Sequence, residues 1–557
     1  MSIIIWCIYT AITLVAVVFL GLREFHMLQL NGYKTPEHSW WMKKNFKRYI
    51  PLCILLVLQL VLIYTDPVIW RPEKHVFIPL LHTLTLIVLG ILSLCNIGIA
   101  LKNKPGKKFK KPFKYTPRVK RMLVTFFVLI ALIMGLGLLT SEFSYVYEVG
   151  DDVRHRELPF LTNTLPFIIT GAALYLTPIL VPLSNLINKP IETCINNWYI
   201  NDAKKKLKSM PDLHKVGITG SYGKTSMKFY LSELLSSQYE TLKTPESFNT
   251  PMGVTITIRR DLRPTHQYFV CEMGARRVGE IKELCQIADP HDGIITSVGP
   301  QHLETFGSIE NVAKTKFELA DYISALGKVY LNYDNEIIRE KSADYPKAIT
   351  YGVTEGSDYR GSDVTVSDRG TEFTVTTPEG ESCRFSTKLL GEHSVQNLLG
   401  AIAYAHGTGI PLEKLVLPVR RIAAVPHRLQ LLEKGNGLTF IDDAYNSNPS
   451  GAKAALAVLE LFDACRILVT PGMVELGAKQ EELNFEFGKQ AAKACDYIIL
   501  VGKEQTKPIY NGIKDAGFDM EKVFVEDGLN EALAKISACH SDKKKIVLLE
   551  NDLPDNY

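Results

Sequence analysis

Cysteine is scarce in this 557-residue chain and never arrives as C-x-x-C; the ten cysteines stand singly. That spacing suggests neither a zinc site nor a disulfide framework, and it fits a reducing compartment. Net charge is also lacking: 63 basic against 59 acidic residues leave +4 at pH 7, which by itself argues for no nucleic-acid partner. The shortage of charge is uneven along the chain. Before about residue 190 long apolar runs are separated by short basic segments, whereas the remainder has ordinary charge density with alternating strand and helix signals. The length has room for roughly three or four domains.

Five stretches, about 2–21, 49–65, 76–101, 122–140 and 161–186, are long and apolar enough to cross a bilayer as helices. Acid is absent from the most basic of the loops between them. The loop Lys102–Arg121 holds ten basic residues and no acid, and the loop Arg23–Arg48 holds Arg23, Lys34, Lys43, Lys44, Lys47 and Arg48. The second and fourth loops carry two basic residues each, and the fourth also has Glu142, Glu148, Asp151, Asp152 and Glu157. An outside N-terminus, five spans and a cytoplasmic C-terminal part satisfy every loop, which predicts a multi-pass protein of the inner membrane. No basic residue precedes the first span and no small-residue cleavage site follows it, so it reads as an anchor. The basic third loop has a lipid-binding reading, but topology alone requires its charge. Within the spans ionisable residues are almost absent, His82 being one, and a transporter reading is weak for that reason. From Lys189 to Pro211 the chain predicts an amphipathic, interfacial linker helix, with Ile191, Ile195, Trp198, Tyr199 and Ala203 at helical spacing.

What the chain does have is VGITGSYGKTS at Val216–Ser226. Val216 to Thr219 predict a buried strand and Lys224 to Leu235 a helix. Gly220, Ser221, Tyr222 and Gly223 then turn between them and direct N–H groups at an anion, where the helix N-terminus adds partial positive charge. Lys224 is placed to meet a phosphate as a point charge, and the hydroxyl of Thr225 or Ser226 to hold magnesium. The full pattern wants a glycine five residues before Gly223, where this chain has Ile218. A Gly-rich turn with a chance lysine is the bland alternative.

Downstream, TPESFNTPMG at Thr244–Gly253 is turn chemistry with no regular element predicted. Tyr268–Val270 form a short apolar strand that runs into Glu272, a carboxylate at a strand's C-terminal end, where α/β sheets put ligands. Another strand, Gly293–Val298, leads to His302 and then to a helix bearing Lys314, Lys316 and Glu318. Taken singly, a lone histidine is more often structural and a helix lysine more often solvated.

The ordered set resembles the Mur ligases, the ATP-dependent amide-forming enzymes of peptidoglycan precursor synthesis. The residues that carry the resemblance are TGSYGKTS at 219–226, FNTPMG at 248–253, CEMGA at 271–275, GPQHLETFGS at 299–308, AKTKFE at 313–318, GEHSVQN at 391–397, HRL at 427–429, IDDAYNSNPS at 441–450 and GMVELG at 472–477. Together they cover about 215 to 480. The implied architecture is an all-α transmembrane domain over 1–188 and a linker over 189–211. A P-loop ATPase-like α/β central domain follows over 212–428, then a Rossmann-like, doubly wound α/β domain over 429–557.

The resemblance also implies roles. The nucleotide would be ATP with Mg2+, held by Gly220, Ser221, Gly223, Lys224, Thr225 and Ser226, with His393 and Asn397 on the adenine side and Arg428 and Asp443 at the hinge and last domain. Metal ligands would be Thr225, Glu272, His302 and Lys316, the last as a carbamate, with Lys224, Glu272, His302 and Lys316 as the catalytic set. A carboxylate attacks the γ-phosphate, and the amine then displaces phosphate from the acyl phosphate to leave an amide. The implied partners are the lipid bilayer, a cell-wall precursor and an incoming amino acid or dipeptide; residues that bind the acceptor are not assigned. Two departures stand out. The spans occupy the place where soluble relatives bind uridine diphosphate, and the C-terminal ENDLPDNY replaces a basic, Gly-containing turn. An inactive ligase-like scaffold or a ligase for another envelope polymer are the competing readings; a scaffold would have lost some cation ligands, and this chain retains them.

Overall fold

The computed structural model describes residues 2–65, 88, 91, 95, 112–141, 144–149, 152–157, 165–323, 327–435, 437–445, 448–474 and 476–552. They divide into two compact units, residues 1–195 and 196–553.

The first unit is built on α1 (Ser2–Leu30), α2 (Thr35–Lys44), α3 (Ile50–Thr65), α4 (Pro117–Ser141) and α5 (Leu165–Lys208). Its apolar core joins Val17, Leu20, Phe25, Met122, Phe126, Leu174 and Val181. Among the described residues three helices are long and apolar enough to cross a membrane, at Cys7–Leu30, Pro117–Leu139 and Ile168–Lys208. Four expectations bear on this unit. The expected span 49–65 is helical as α3 over Ile50–Thr65, which runs to the edge of the described residues. The expected span 76–101 lies outside the described residues apart from isolated positions. The expected helix over 189–211 is present as far as Lys208, as the continuation of α5 through Pro178, Pro182 and Pro190. The unit is not purely helical either: β1 (Ser144–Val149) and β2 (Asp152–Glu157) pair as an antiparallel hairpin.

The second unit holds two sheets. In chain order the first comprises β3 (His214–Thr219), α6 (Lys224–Leu235), β4 (Thr241–Lys243), α7 (Pro251–Asp261), β5 (Tyr268–Glu272), α8 (Glu280–Ala288), β6 (Asp292–Ile295), α9 (Leu303–Phe306), α10 (Ile309–Tyr322), β7 (Val329–Asn332), α11 (Glu336–Lys341), β8 (Ile349–Gly352), β9 (Tyr359–Ser367), β10 (Gly370–Thr376), β11 (Ser382–Thr387), α12 (Glu392–Gly407) and α13 (Leu412–Arg421). Its nine strands run in the order β11-β10-β9-β8-β7-β6-β3-β5-β4. Pairing is parallel from β4 to β9 and antiparallel at β10 and β11. Strand β3 sits between β5 and β6, which explains its continuous apolar run, since both faces are covered by helices. One face packs Met227, Leu231 and Leu234 of α6 against Leu398, Leu399 and Ile402 of α12. The other buries Val254 and Ile258 of α7, Ile281 and Leu284 of α8, and Phe317 and Leu319 of α10.

The segment read as featureless turn opens α7: Pro251 takes the first helical position and the Thr250 hydroxyl accepts the Gly253 N–H at 3.3 Å.

The second sheet comprises β12 (Gln430–Gly435), β13 (Leu438–Asp443), β14 (Cys465–Thr470), β15 (Tyr497–Val501), β16 (Val523–Glu526) and β17 (Lys545–Glu550), in the order β12-β13-β17-β14-β15-β16. The five strands β13 to β17 pair in parallel as expected for a doubly wound sheet, and β12 adds an antiparallel edge that the sequence reading omitted.

Candidate functional site

The centre of the site is the turn between β3 and α6, at the C-terminal edge of the parallel sheet. Ile218, where the full phosphate-loop pattern has glycine, is wholly buried in β3, and the sharp turn is made two residues later. Gly223 has φ +79° and precedes the first helical residue, Lys224. A side chain there is excluded twice, because a Cβ would also lie 2.5 Å from Asn397 Oδ1. Asn397 in turn donates to the His393 carbonyl at 3.1 Å, so the segment GEHSVQN is packed directly on the loop.

Not every loop amide points at an anion. The Ser221 N–H donates to the Ser297 carbonyl at 2.8 Å and the Tyr222 N–H to Ser297 Oγ at 2.7 Å. The anion-facing donors are therefore those of the first turn of α6, which have no intrahelical acceptors. Lys224 Nζ donates to the carbonyls of Gly220 and Ser221 at 2.6 and 3.0 Å, folded back over its own loop. Burial, reinforced by the Arg428 guanidinium and opposed by Glu272, pushes its pKa down to about 8.

Between the two hydroxyls left open by the sequence, the structure separates them. Thr225 Oγ1 lies 3.2 Å from Glu272 Oε1, whereas Ser226 bonds the Tyr230 hydroxyl. Asn249 Nδ2 donates to the same Glu272 oxygen at 3.0 Å. The other oxygen, Oε2, lies 3.0 Å from Lys228 Nζ, with both side chains fully buried, and Lys228 also donates to the Glu246 carbonyl. The sequence reading missed Lys228. The signal was its position three residues after Thr225, one turn along the same face of α6.

This pair makes a stability prediction. Lys228→Met should cost about 3–5 kcal/mol because it strands a buried carboxylate. Lys228→Met combined with Glu272→Gln should recover most of the melting temperature of the full-length protein. If the double variant melted no higher than the single one, the ion pair would not be what holds these groups.

The resemblance implies a role for Lys316 and none for Lys314, and on α10 Lys316 is buried and Lys314 exposed. Glu318, about 200° round the helix from Lys316, accepts the N–H groups of Gly279 and Lys282 at 2.7 and 2.9 Å, on the first turn of α8. Lys316 Nζ sits 5.7 Å from the centroid of the Phe306 ring. Burial, with Lys224 adding repulsion, holds the amine well below the usual lysine range. His302 precedes α9 in a left-handed conformation, φ +52°, and its carbonyl accepts from Thr305. Among the described residues no three His, Cys, Asp or Glu side chains converge as a metal cluster. The donors present are hard oxygens, Thr225 and Glu272, which suit a magnesium ion that keeps phosphate and water as its other ligands.

On the far side of the loop, burial and Arg428 push His393 down to about 4, so its imidazole is neutral, and its buried Nδ1 has no hydrogen-bond partner. Asp443 Oδ1 accepts the Leu429 N–H at 3.1 Å, tying the hinge to the end of β13. Asp443 pairs in register with Glu550 of β17. Burial and the neighbouring Asp443 carboxylate hold Glu550 well above the usual range.

The Mur ligase middle-domain model matches residues 218–405, and the Mur ligase glutamate ligase domain model matches 427–550. The UDP-N-acetylmuramoyl-tripeptide--D-alanyl-D-alanine ligase of Escherichia coli K12 is 32% identical over 331 residues, covering 57% of this chain and 73% of that protein. The chain belongs to the Mur ligase family. It is an ATP-dependent ligase, and its P-loop, Glu272 and α10 occupy the family's middle domain. The Bacillus subtilis enzyme of the same name is 33% identical over 275 residues, 49% of this chain and 59% of its own length. A crystal structure of MurF from Acinetobacter baumannii superposes with a TM-score of 0.59 at 27% identity, over 65% of this chain and 78% of that one. The family matches begin at residue 218, so the helical unit stands outside them.

Proposed function

We propose that this Mur ligase joins a D-alanyl-D-alanine-like dipeptide, or a single amino acid, to a muramoyl-peptide acceptor through an acyl phosphate, with release of ADP. The observation that carries the reading is the convergence of Lys224, Thr225 and Glu272 at the C-terminal ends of β3 and β5, inside the ordered motif set. In this proposal Lys224 and the first turn of α6 bind the phosphates, with Gly220, Ser221 and Gly223 shaping the loop. Thr225 and Glu272 hold magnesium, with His302 beside it. His393, Asn397, Arg428 and Asp443 close on the nucleotide. Magnesium, when bound, neutralises the crowded phosphate oxygens. Lys316 serves as a carbamate formed from carbon dioxide and its uncharged amine, with release of one proton. The boundaries 1–188, 189–211, 212–428 and 429–557 are part of the same proposal.

Full-length enzyme supplied with ATP, Mg2+, UDP-muramoyl-tripeptide and D-alanyl-D-alanine should release ADP only when both substrates are present, with an amide product of matching mass. ADP release without any amide would overturn the ligase assignment for these substrates. A different incoming amine is favoured by one observation: where relatives have a basic, Gly-containing turn, this chain has Glu550 paired with Asp443, then Asn551 at φ +66°. Mass spectrometry of soluble and lipid-linked precursors accumulating on depletion separates a UDP-linked acceptor from a lipid-linked one.

The ligase part is proposed to lie on the cytoplasmic face of the inner membrane, with the N-terminus outside. A reporter fused after Tyr557 should behave as an inside reporter; activity of an outside-only reporter at that site would sink the topology.

A further inference from the structure

The first unit hides charge that its hydropathy gives no reason to expect. Helix α1 does not stop where its apolar run ends but continues to Leu30, which carries Arg23 and Glu24 into the packed interior. Arg23 is only 4% exposed, and Glu24 and His38 are fully buried. The Tyr49 hydroxyl lies 3.0 Å from each oxygen of Glu24. His38 Nε2 stands 3.9 Å from Glu24, beyond hydrogen-bond reach, and its ring stacks on Trp41 at 5.9 Å. The Arg23 guanidinium is 5.9 Å from the centroid of the Tyr49 ring. Side chains from α1, α2 and the turn before α3 thus gather round one carboxylate.

They are not mutually satisfied. Arg23 Nη2 and both ring nitrogens of His38 are buried without a hydrogen-bond partner. Burial pushes the imidazole down to about 4, so the contact with Glu24 is no ion pair and one His38 N–H is left to donate. Arg23 and the exposed Arg48 both act on Glu24 electrostatically. A buried guanidinium nitrogen lacking a partner is costly, and an oxyanion is the group that would satisfy it.

The surroundings say what kind of oxyanion. Just outside the cluster Trp40 is 41% exposed with Lys44 Nζ 4.8 Å above its ring, Phe46 is 58% exposed, and Arg48 lies 5.9 Å from the Trp41 ring. Exposed aromatics interleaved with basic side chains suit a molecule with an anionic head and an apolar tail. We propose that Arg23 and His38 form the floor of a binding site for the phosphate head group of a lipid, with Arg48, Lys44 and Trp40 at its rim. The site is separate from the nucleotide loop, and its test contains no nucleotide, so its failure and that of the ligase reading are distinguishable.

The experiment is native mass spectrometry and thermal melting of the full-length protein in a neutral detergent, titrated with dioleoyl phosphatidate, dioleoyl phosphatidylcholine or inorganic phosphate. Wild type should retain one phosphatidate after other lipids are stripped, and phosphatidate should raise the melting temperature where phosphatidylcholine does not. Arg23→Gln should weaken retention about tenfold or more, whereas Lys43→Gln with Lys47→Gln, exposed basic positions, should leave the last lipid in place. Arg23→Lys, which keeps the charge, guards against a folding artefact and should retain part of the affinity. Equal retention of phosphatidylcholine by wild type would overturn the proposal whatever the variants do. So would protection by inorganic phosphate alone, or undiminished binding by a folded Arg23→Gln.

Discussion

Lys224→Ala should lower ATP turnover by on the order of 10²–10³-fold while leaving the fold in place. The amine's partners in the structure are two loop carbonyls, Gly220 and Ser221, so its removal costs the fold about 1 kcal/mol per hydrogen bond and no buried carboxylate is stranded. Melting temperature should therefore barely move. A second readout comes from pH. Burial and Arg428 bring Lys224 down to about 8. Its charge is present below that value and lost as pH rises through it, so ATP affinity of the wild type should fall above about pH 8. The alanine variant should be weak at every pH and lack that step. Undiminished turnover in Lys224→Ala would mean that the loop is no phosphate cradle, and a pH step of equal size in the variant would assign the titration elsewhere.

The parts of the molecule that were legible in advance are those whose cause is local. Lys224–Leu235 is a helix because a left-handed glycine opens it and apolar residues recur on one face, both of which are visible in a short window. Strands β13 and β17 occupy the stretches 438–443 and 545–550 that their apolar runs marked. Rotation per residue implied that Lys316 and Glu318 lie on opposite faces of α10, and the resemblance picked Lys316 as the inward one. What stayed hidden depends on partners distant in sequence. Arg23 and Glu24 ended the first span on paper because they are charged, yet α1 continues through them since Tyr49, 25 residues on, hydrogen-bonds the carboxylate. Lys228 was passed over because its partner Glu272 comes 44 residues later, on a different strand. Strand β12 is antiparallel to β13, and the sequence reading assigned no element to its residues. Glu318 was given no partner, and its carboxylate accepts N–H groups at the start of α8. The motif positions were thus readable, and the side chains that hold them in place were not.

Lys316→Ala should lose most activity, about 10–100-fold, and a small carboxylate or bicarbonate in the buffer should restore part of it. The argument rests on where the amine lies. An ammonium in this position would be buried, would face the positive charge of Lys224 and would repel the magnesium proposed to sit with Thr225 and Glu272. Burial favours the uncharged amine, which is the form that attacks carbon dioxide, and a carbamate formed there would carry one negative charge and two oxygens suited to a hard cation. Alanine removes the amine and leaves a gap beside Phe306 that acetate or bicarbonate can fill. Lys314 points to solvent on the same helix, so Lys314→Ala should be mild. Incubation of the wild type with 13C-labelled bicarbonate should give a carbamate signal in the 13C spectrum that Lys316→Ala lacks and Lys314→Ala keeps. A carbamate signal that survived Lys316→Ala would place the modification elsewhere. An inactive Lys314→Ala beside a mild Lys316→Ala would mean that the assignment is off by one face of α10.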